Sequence, residues 1–277
     1  MKTLFLILQL LYTISGNGVN GKSYLLATHA TVDQDYLDTI PGVYAAFGRC
    51  NKVITEFAVE DYEALSVLRT AALLPDSVKL TNFYSDAEYQ EIADAILVQT
   101  GLSMSTLARM KPSYLTEMVR TELFKRWLAF NPDRSIESFF EVVAASKGIP
   151  VYGLDEVGET MYMLFDREPF EWQCKELQSI IETPELEIRQ ERTLIEMYKA
   201  GRLTDIAYQI SGPDNHTTLS YSDYQIWMQR NRTWVKRLDP YLKEGKVFIT
   251  LHAAYLGGDQ GLIALLRAQG YKIKAIR

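Results

Sequence analysis

Residues 246–277 read KVFITLHAAYLGGDQGLIALLRAQGYKIKAIR, and the elements they predict constrain the rest of the fold. The apolar run at 247–251 predicts a strand, and the glycines Gly257, Gly258 and Gly261 predict a loop. Residues 262–269 then have the periodicity of a helix, and residues 271–276 predict a second strand. A strand, helix and strand in this order need partner strands, which the opening of the chain supplies.

The opening of the chain predicts three strands, at residues 10–16, 23–28 and 52–59, with a short helical stretch at 43–48. Helical periodicity dominates the middle, about residues 61–240, most clearly at 87–100, 112–128 and 184–200. One strand, at 150–154, interrupts it. We therefore expect an α/β (mixed α+β) fold in one domain over 9–277, with a central mixed β-sheet built from the N- and C-terminal segments and surrounded by helices.

Composition and charge exclude some functions. The chain has 277 residues, 47% of them hydrophobic, and a net charge of −6, which argues against nucleic acid because phosphates need a basic face. Met1-Lys2 and the apolar run at 3–14 resemble a signal peptide, of which residues 1–8 would be a remnant. That reading predicts an extracytoplasmic protein, periplasmic or secreted. The second half of the same run also reads as a strand, and the run is too short for a membrane span.

Two of the three histidines end similar strand-like runs, LATHA at 26–30 and ITLHA at 249–253. If the two strands are neighbours, His29 and His252 face one cleft, and imidazole suits metal binding and proton transfer. His216 lies in a turn-rich loop and is expected to be exposed. Cys50 and Cys174 match no metal or redox spacing, so they are buried thiols, or a disulfide if the protein is exported.

Glu56 lies in the apolar run 53–59, where a carboxylate is costly unless it is paired or functional. Arg230 is its expected partner, because a guanidinium can bind a carboxylate through two bonds. Arg237 instead reads as part of a solvated basic helix face. Asp155 and Glu156 end the strand at 150–154, where they either contribute to a cleft or begin the helix from 157.

Two separated blocks carry a family resemblance. One is Arg230-Asn231-x-x-Trp234 followed by residues 248–261 and 265–271, and the other is the opening at 15–18, 23–29 and 40–42 with Glu56. Together they resemble the TraB/PrgY/GumN family, which includes the Tiki proteases, over essentially the whole chain after Gln9.

The resemblance implies a metal-dependent protease scaffold marked by two Gly-x-x-His motifs at strand ends and a glutamate on an adjacent strand. Aligned without a gap, the expected histidines become Ala30 and Tyr255. One interpretation is a catalytically impaired or altered domain without a cofactor, binding a peptide or protein segment in the ancestral cleft. The alternative is a hydrolase, a peptidase, with a rewired site for Mn, Co or Zn. The candidate catalytic residues are Glu56, Arg230, Asn231 and Tyr255, and the candidate metal ligands are His29 and His252.

Overall fold

The structure, a computed structural model, describes residues 9–58, 62–211 and 221–276. The predicted signal segment at 1–8 and His216 lie outside these residues. The strands are β1 (Leu11–Ser15), β2 (Ser23–Thr28), β3 (Lys52–Thr55), β4 (Val151–Gly153), β5 (Val247–His252) and β6 (Lys272–Ala275). The helices are α1 (Val43–Phe47), α2 (Tyr62–Ala71), α3 (Asp86–Thr100), α4 (Met104–Leu107), α5 (Pro112–Leu128), α6 (Ile136–Ser146), α7 (Val157–Met161), α8 (Phe170–Glu182), α9 (Pro184–Lys199), α10 (Leu203–Ser211), α11 (Tyr221–Glu244) and α12 (Leu262–Ala268).

The chain divides into two compact units. The first comprises the described parts of residues 1–58, 131–155 and 193–277, and the second those of 59–130 and 156–192. The first unit holds the whole sheet and every candidate site residue. The helical middle that the sequence predicts is therefore shared between the two units.

The sheet confirms the predicted mixed architecture. Its strand order is β4-β3-β5-β2-β1-β6, so β5, from the C-terminal segment, lies between two strands of the opening. Strands β2, β5, β3 and β4 run parallel, whereas β1 is antiparallel to both β2 and β6. Because parallel strands end at one edge, the residues after β2, β5 and β3 are brought together there.

The central strands are buried on both faces. All six residues of β2 are buried, and Val247 to Leu251 of β5 are at most 2% exposed. Consecutive side chains point to opposite faces, so helices must cover both sides, as is usual for parallel sheets. On one face the ring of Phe248 contacts Phe140 of α6, with centroids 4.6 Å apart, and Phe47 of α1, at 5.5 Å.

The second unit is helical, with a core in which α5 packs against α3 and α8. Pro112 at the first position of α5 and the capping box of Ser85 and Glu88 at α3 explain where these helices begin. Within the described residues, no helix of either unit combines the length and the apolar character needed to cross a bilayer.

One local expectation needs correction and another is confirmed. Strand β3 ends at Thr55, so Glu56 follows the strand instead of lying within it. The reason is that its carbonyl accepts hydrogen bonds from the backbone N–H groups of Leu154 and Asp155, at 3.0 and 2.8 Å, as the chain leaves β4. Of the two alternatives for Cys50 and Cys174, buried thiols are confirmed, because both side chains are buried and free of a disulfide.

Candidate functional site

His29 and His252 meet at the carboxyl ends of neighbouring strands. Thr28, the last residue of β2, pairs with His252, the last residue of β5, and His29 follows directly. The two imidazole rings lie 5.0 Å apart between centroids, with their planes tilted by 46°. The structure thus brings together the two histidines that the sequence separates by more than two hundred residues.

Both imidazoles are held by local hydrogen bonds. Nδ1 of His29 is 3.1 Å from the hydroxyl of Thr31, and Nδ1 of His252 accepts from the backbone N–H of Ala254 at 3.3 Å. Burial first, and then the nearby His252 ring, lower the pKa of His29 well below its ordinary value of 6.5. His29 is therefore neutral at physiological pH.

Glu56 connects the end of β3 to the end of β5. One carboxylate oxygen, Oε1, accepts the backbone N–H of His252 at 2.8 Å, and Oε2 lies 3.1 Å from Nη2 of Arg230. The predicted partnership of Glu56 and Arg230 is confirmed. The side chain of Glu56 is 24% exposed, so it is partly accessible to solvent.

Arg230 of α11 contacts three other side chains of the site. Its Nε donates to Oδ2 of Asp155 at 2.7 Å, and its Nη1 donates to the hydroxyl of Tyr255. Burial disfavours the charge of Arg230, but the Tyr255 hydroxyl and the carboxylates of Glu56 and Asp155 outweigh burial and raise its pKa. The guanidinium is consequently a permanent cation in contact with two carboxylates.

Tyr255 lies in the short helical turn Ala253–Tyr255 that follows β5. Its ring stacks on Trp227, at 6.1 Å between centroids, and packs against Trp234, at 4.8 Å. Burial raises the pKa of Tyr255 to about 12, although the Arg230 charge opposes this shift. At neutral pH the side chain is a phenol, which binds metal ions poorly.

Asn231 holds the loop that follows Tyr255. Its side chain is fully buried, and Nδ2 donates to the carbonyls of Tyr255 and Gln260 at 3.2 and 3.0 Å. The same loop lies close to α10, because a Cβ on Gly257 would stand 2.3 Å from the carbonyl carbon of Leu203. The structure therefore assigns Asn231 contacts that fix the loop.

Asp155 is a site residue for which the sequence left two alternatives open, a place in a cleft or the start of a helix. Its side chain is 3% exposed, and its Oδ1 accepts the indole N–H of Trp234 while Oδ2 accepts from Arg230. The next residue, Glu156, begins α7 as its N-cap, so the two alternatives for this pair are both realised. Arg237 is not on a solvated face, since it donates to the carbonyl of Leu154 at 2.7 Å.

Two glutamates of α6 lie at the same edge of the sheet, and the sequence does not single out either of them. Glu137 accepts from the hydroxyl of Thr28 at 3.3 Å, and Glu141 accepts from Thr55 at 2.9 Å. Their spacing of four residues places them on one helix face, which was the only signal in the sequence. Burial and the nearby Glu56 raise the pKa of Glu141, while its bond from Thr55 opposes the rise.

The side chains at this edge do not fit the metal site that the resemblance implies. At the two expected histidine positions, Ala30 has no ligand atom and the phenol of Tyr255 is engaged by Arg230. Both carboxylate oxygens of Glu56 are engaged as well. Across residues 9–58, 62–211 and 221–276, no group of three or more His, Cys, Asp or Glu side chains is arranged to hold a metal ion.

Comparison with known proteins identifies the family of this chain. The profile of the TraB/PrgY/gumN family matches residues 10–275, nearly the whole chain. The protein therefore belongs to the TraB/PrgY/gumN family. No curated protein and no solved structure gives a significant match.

Proposed function

We propose that this protein is a non-catalytic TraB/PrgY/gumN domain that binds a peptide or protein segment at the strand-end site. The observation that carries the proposal is the state of Tyr255. Its phenol bonds to Arg230, its ring contacts the rings of Trp227 and Trp234, and its pKa of about 12 keeps it protonated. A residue held in this way, together with Ala30 at the other expected ligand position, supports loss of the metal chemistry.

The charges at the strand edge favour a basic segment as the partner. Among the groups described above, carboxylates outnumber guanidiniums, and Glu56 is partly open to solvent. The imidazoles and the backbone groups at the strand ends can accept hydrogen bonds from an extended main chain or donate to it. A peptide with basic side chains would therefore find both charge complementarity and main-chain partners.

Metal analysis after reconstruction of the expected ligands tests the loss of metal chemistry. The purified wild-type protein, dialysed against Mn, Co or Zn, should retain less than one equivalent and should not cleave peptides. The double variant Ala30→His/Tyr255→His serves as the comparison, because it restores both imidazoles and should gain metal. Stoichiometric metal in the wild-type protein that disappears in His252→Ala would overturn the proposal.

Peptide binding is tested by panning a random displayed peptide library on the wild-type protein and on Glu56→Gln. Enrichment of basic peptides by the wild-type protein, reduced in the variant, is the expected result. The matched control is Glu244→Gln, which neutralises a glutamate on α11 paired with Lys52, away from the strand ends. Equal enrichment by all three proteins would show that the strand-end site is not the binding site.

The second candidate function, a metal-dependent peptidase, is favoured by the histidine pair. Their rings lie 5.0 Å apart, and His29 is neutral, as a nitrogen ligand must be. On this alternative His29 and His252 would hold the divalent ion, and Glu56 would have to give up its bonds from His252 and Arg230 to act as acid or base. The metal analysis above distinguishes this function from the first.

The extracytoplasmic location remains a prediction from the apolar start of the chain. Fractionation of cells that produce the full chain with a C-terminal tag would test it. We expect the tagged protein outside the cytoplasm and lacking its first residues by mass spectrometry.

A further inference from the structure

The guanidinium of Arg230 lies in an enclosure with aromatic walls. Its Cζ is 4.4 Å from the ring centroid of Trp234 and 4.7 Å from that of Tyr255. These two rings are inclined to each other by 56°, so they form a corner around the cation. Aromatic faces attract a cation at such distances, and arginine more often than lysine occupies them.

Carboxylates complete the enclosure. Nε and Nη2 of Arg230 both contact Oδ2 of Asp155, at 2.7 and 2.6 Å, and Nη2 also lies 3.1 Å from Oε2 of Glu56. The hydroxyl of Tyr255 takes Nη1. A planar cation with several N–H donors is thus contacted at each nitrogen, an arrangement that suits a guanidinium better than an ammonium. We call Glu56, Asp155, Trp234 and Tyr255 the guanidinium seat.

The seat is organised by bonds that do not involve Arg230. Oδ1 of Asp155 is held by the indole N–H of Trp234, which leaves Oδ2 for the cation. Oε1 of Glu56 is likewise held by the backbone N–H of His252, which leaves Oε2. Each carboxylate therefore has one fixed oxygen and presents the other, as a preformed binding site does.

The two carboxylates of the guanidinium seat would still favour a bound cation if Arg230 were absent. Arg237 lies 3.9 Å from Oδ1 of Asp155 and can balance that carboxylate, whereas Oε2 of Glu56 would lose its contact with Nη2 of Arg230. A partly buried carboxylate is stabilised by a nearby positive charge, which favours entry of another cation. The partly exposed side chain of Glu56 marks the side from which that cation would enter.

We propose that the guanidinium seat is an arginine-binding site that Arg230 fills from within the chain, and that an arginine side chain of a bound segment occupies it when Arg230 is displaced. The proposal rests on the proposed function only in that the bound segment supplies the arginine. Arg230 acts as an intramolecular competitor, whose high effective concentration weakens the binding of an external arginine.

The seat is tested with a small probe, N-acetyl-arginine amide, titrated calorimetrically into the full-length wild-type protein and Arg230→Ala. The variant should bind the probe about tenfold or more tightly than the wild-type protein does, because the competitor is gone. It should also prefer the probe over the neutral citrulline analogue by about tenfold, because a charge-assisted pair is lost. Adding Asp155→Asn to Arg230→Ala should remove the gain.

Equal binding of the arginine and citrulline probes by Arg230→Ala, or binding no tighter than by the wild-type protein, overturns the proposal. If Arg230→Ala does not fold, the titration is repeated with Arg230→Met, which keeps an unbranched aliphatic side chain at this position. If neither variant folds, both are refolded in millimolar methylguanidinium or methylammonium. Recovery only with methylguanidinium supports the seat, and equal recovery overturns it.

The peptides found by panning separate this inference from the proposed function. A peptide that the wild-type protein binds equally well with arginine or with citrulline overturns the inference and leaves the proposed function standing. Failure of the wild-type protein to bind any peptide counts against the proposed function, while the probe titration still decides whether the seat binds a guanidinium.

Discussion

Asp155→Asn should destabilise the first unit far more than a surface substitution of the same kind. Oδ1 of Asp155 accepts from the indole of Trp234 and Oδ2 from Arg230, and the side chain is 3% exposed. In asparagine one of these oxygens becomes an NH2 group that faces an N–H donor. That buried donor loses its acceptor, at about 1–3 kcal/mol, and the remaining bond loses its charge assistance, at about 1 kcal/mol. The free energy of unfolding should fall by about 2–4 kcal/mol.

The assay is urea denaturation followed by tryptophan fluorescence, in which Trp234 reports on its own changed environment. The matched control is Asp35→Asn, which removes a carboxylate paired with Arg134 at 2.6 Å but 80% exposed. An exposed pair contributes about 0–1 kcal/mol, so the control should lose little. If the two variants lose the same stability, the reasoning that Asp155 anchors the site is wrong.

Three other outcomes follow from the structure. The free energy of unfolding should fall by up to about 1.4 kcal/mol per pH unit below pH 6.5, because His29 binds a proton in the unfolded state but stays neutral when buried. Acid denaturation of His29→Gln should lose this pH dependence, and an unchanged dependence would contradict the assignment to His29. Glu141→Gln should raise the free energy of unfolding at pH 7 by up to about 1 kcal/mol, since burial disfavours the charged carboxylate while the amide oxygen can still accept the bond from Thr55. A loss of stability in thermal denaturation would contradict this. Gly257→Ala should lower the melting temperature by several degrees, because its Cβ would overlap the backbone of Leu203, whereas an alanine at Gly158, where no atom lies within 4 Å, should not.

Much of the fold could be predicted because its signals are local. Helix α5 begins and ends where the sequence predicts, since Pro112 suits a first helical position and an apolar period runs to Leu128. The strands of the opening and of the C-terminal segment follow from short apolar runs bounded by glycines. Strand β5 pairs in parallel with β2 and β3, which agrees with the apolar residues of all three strands.

Site residues could be predicted only where their type contrasted with the residues around them in the sequence. Glu56 stands out as a carboxylate among apolar residues, and Arg230 as the cation most able to pair with it. Asp155, Glu137 and Glu141 are acidic residues in ordinary surroundings, where helix caps and solvated helix faces use the same side chains. Their contacts reach across the sheet edge to other segments, and no local pattern carries that information.

Sequence alone predicts the mixed α/β architecture and the TraB/PrgY/gumN family, since both depend on the order and type of residues. The tertiary structure shows which side chains meet at the strand ends. It placed His29 beside His252, bonded Tyr255 to Arg230, and put that guanidinium against two carboxylates and two aromatic rings. The reason is physical: the charge state of a group and its choice of partner depend on burial and on neighbours within a few ångströms, and folding brings those neighbours from distant parts of the chain.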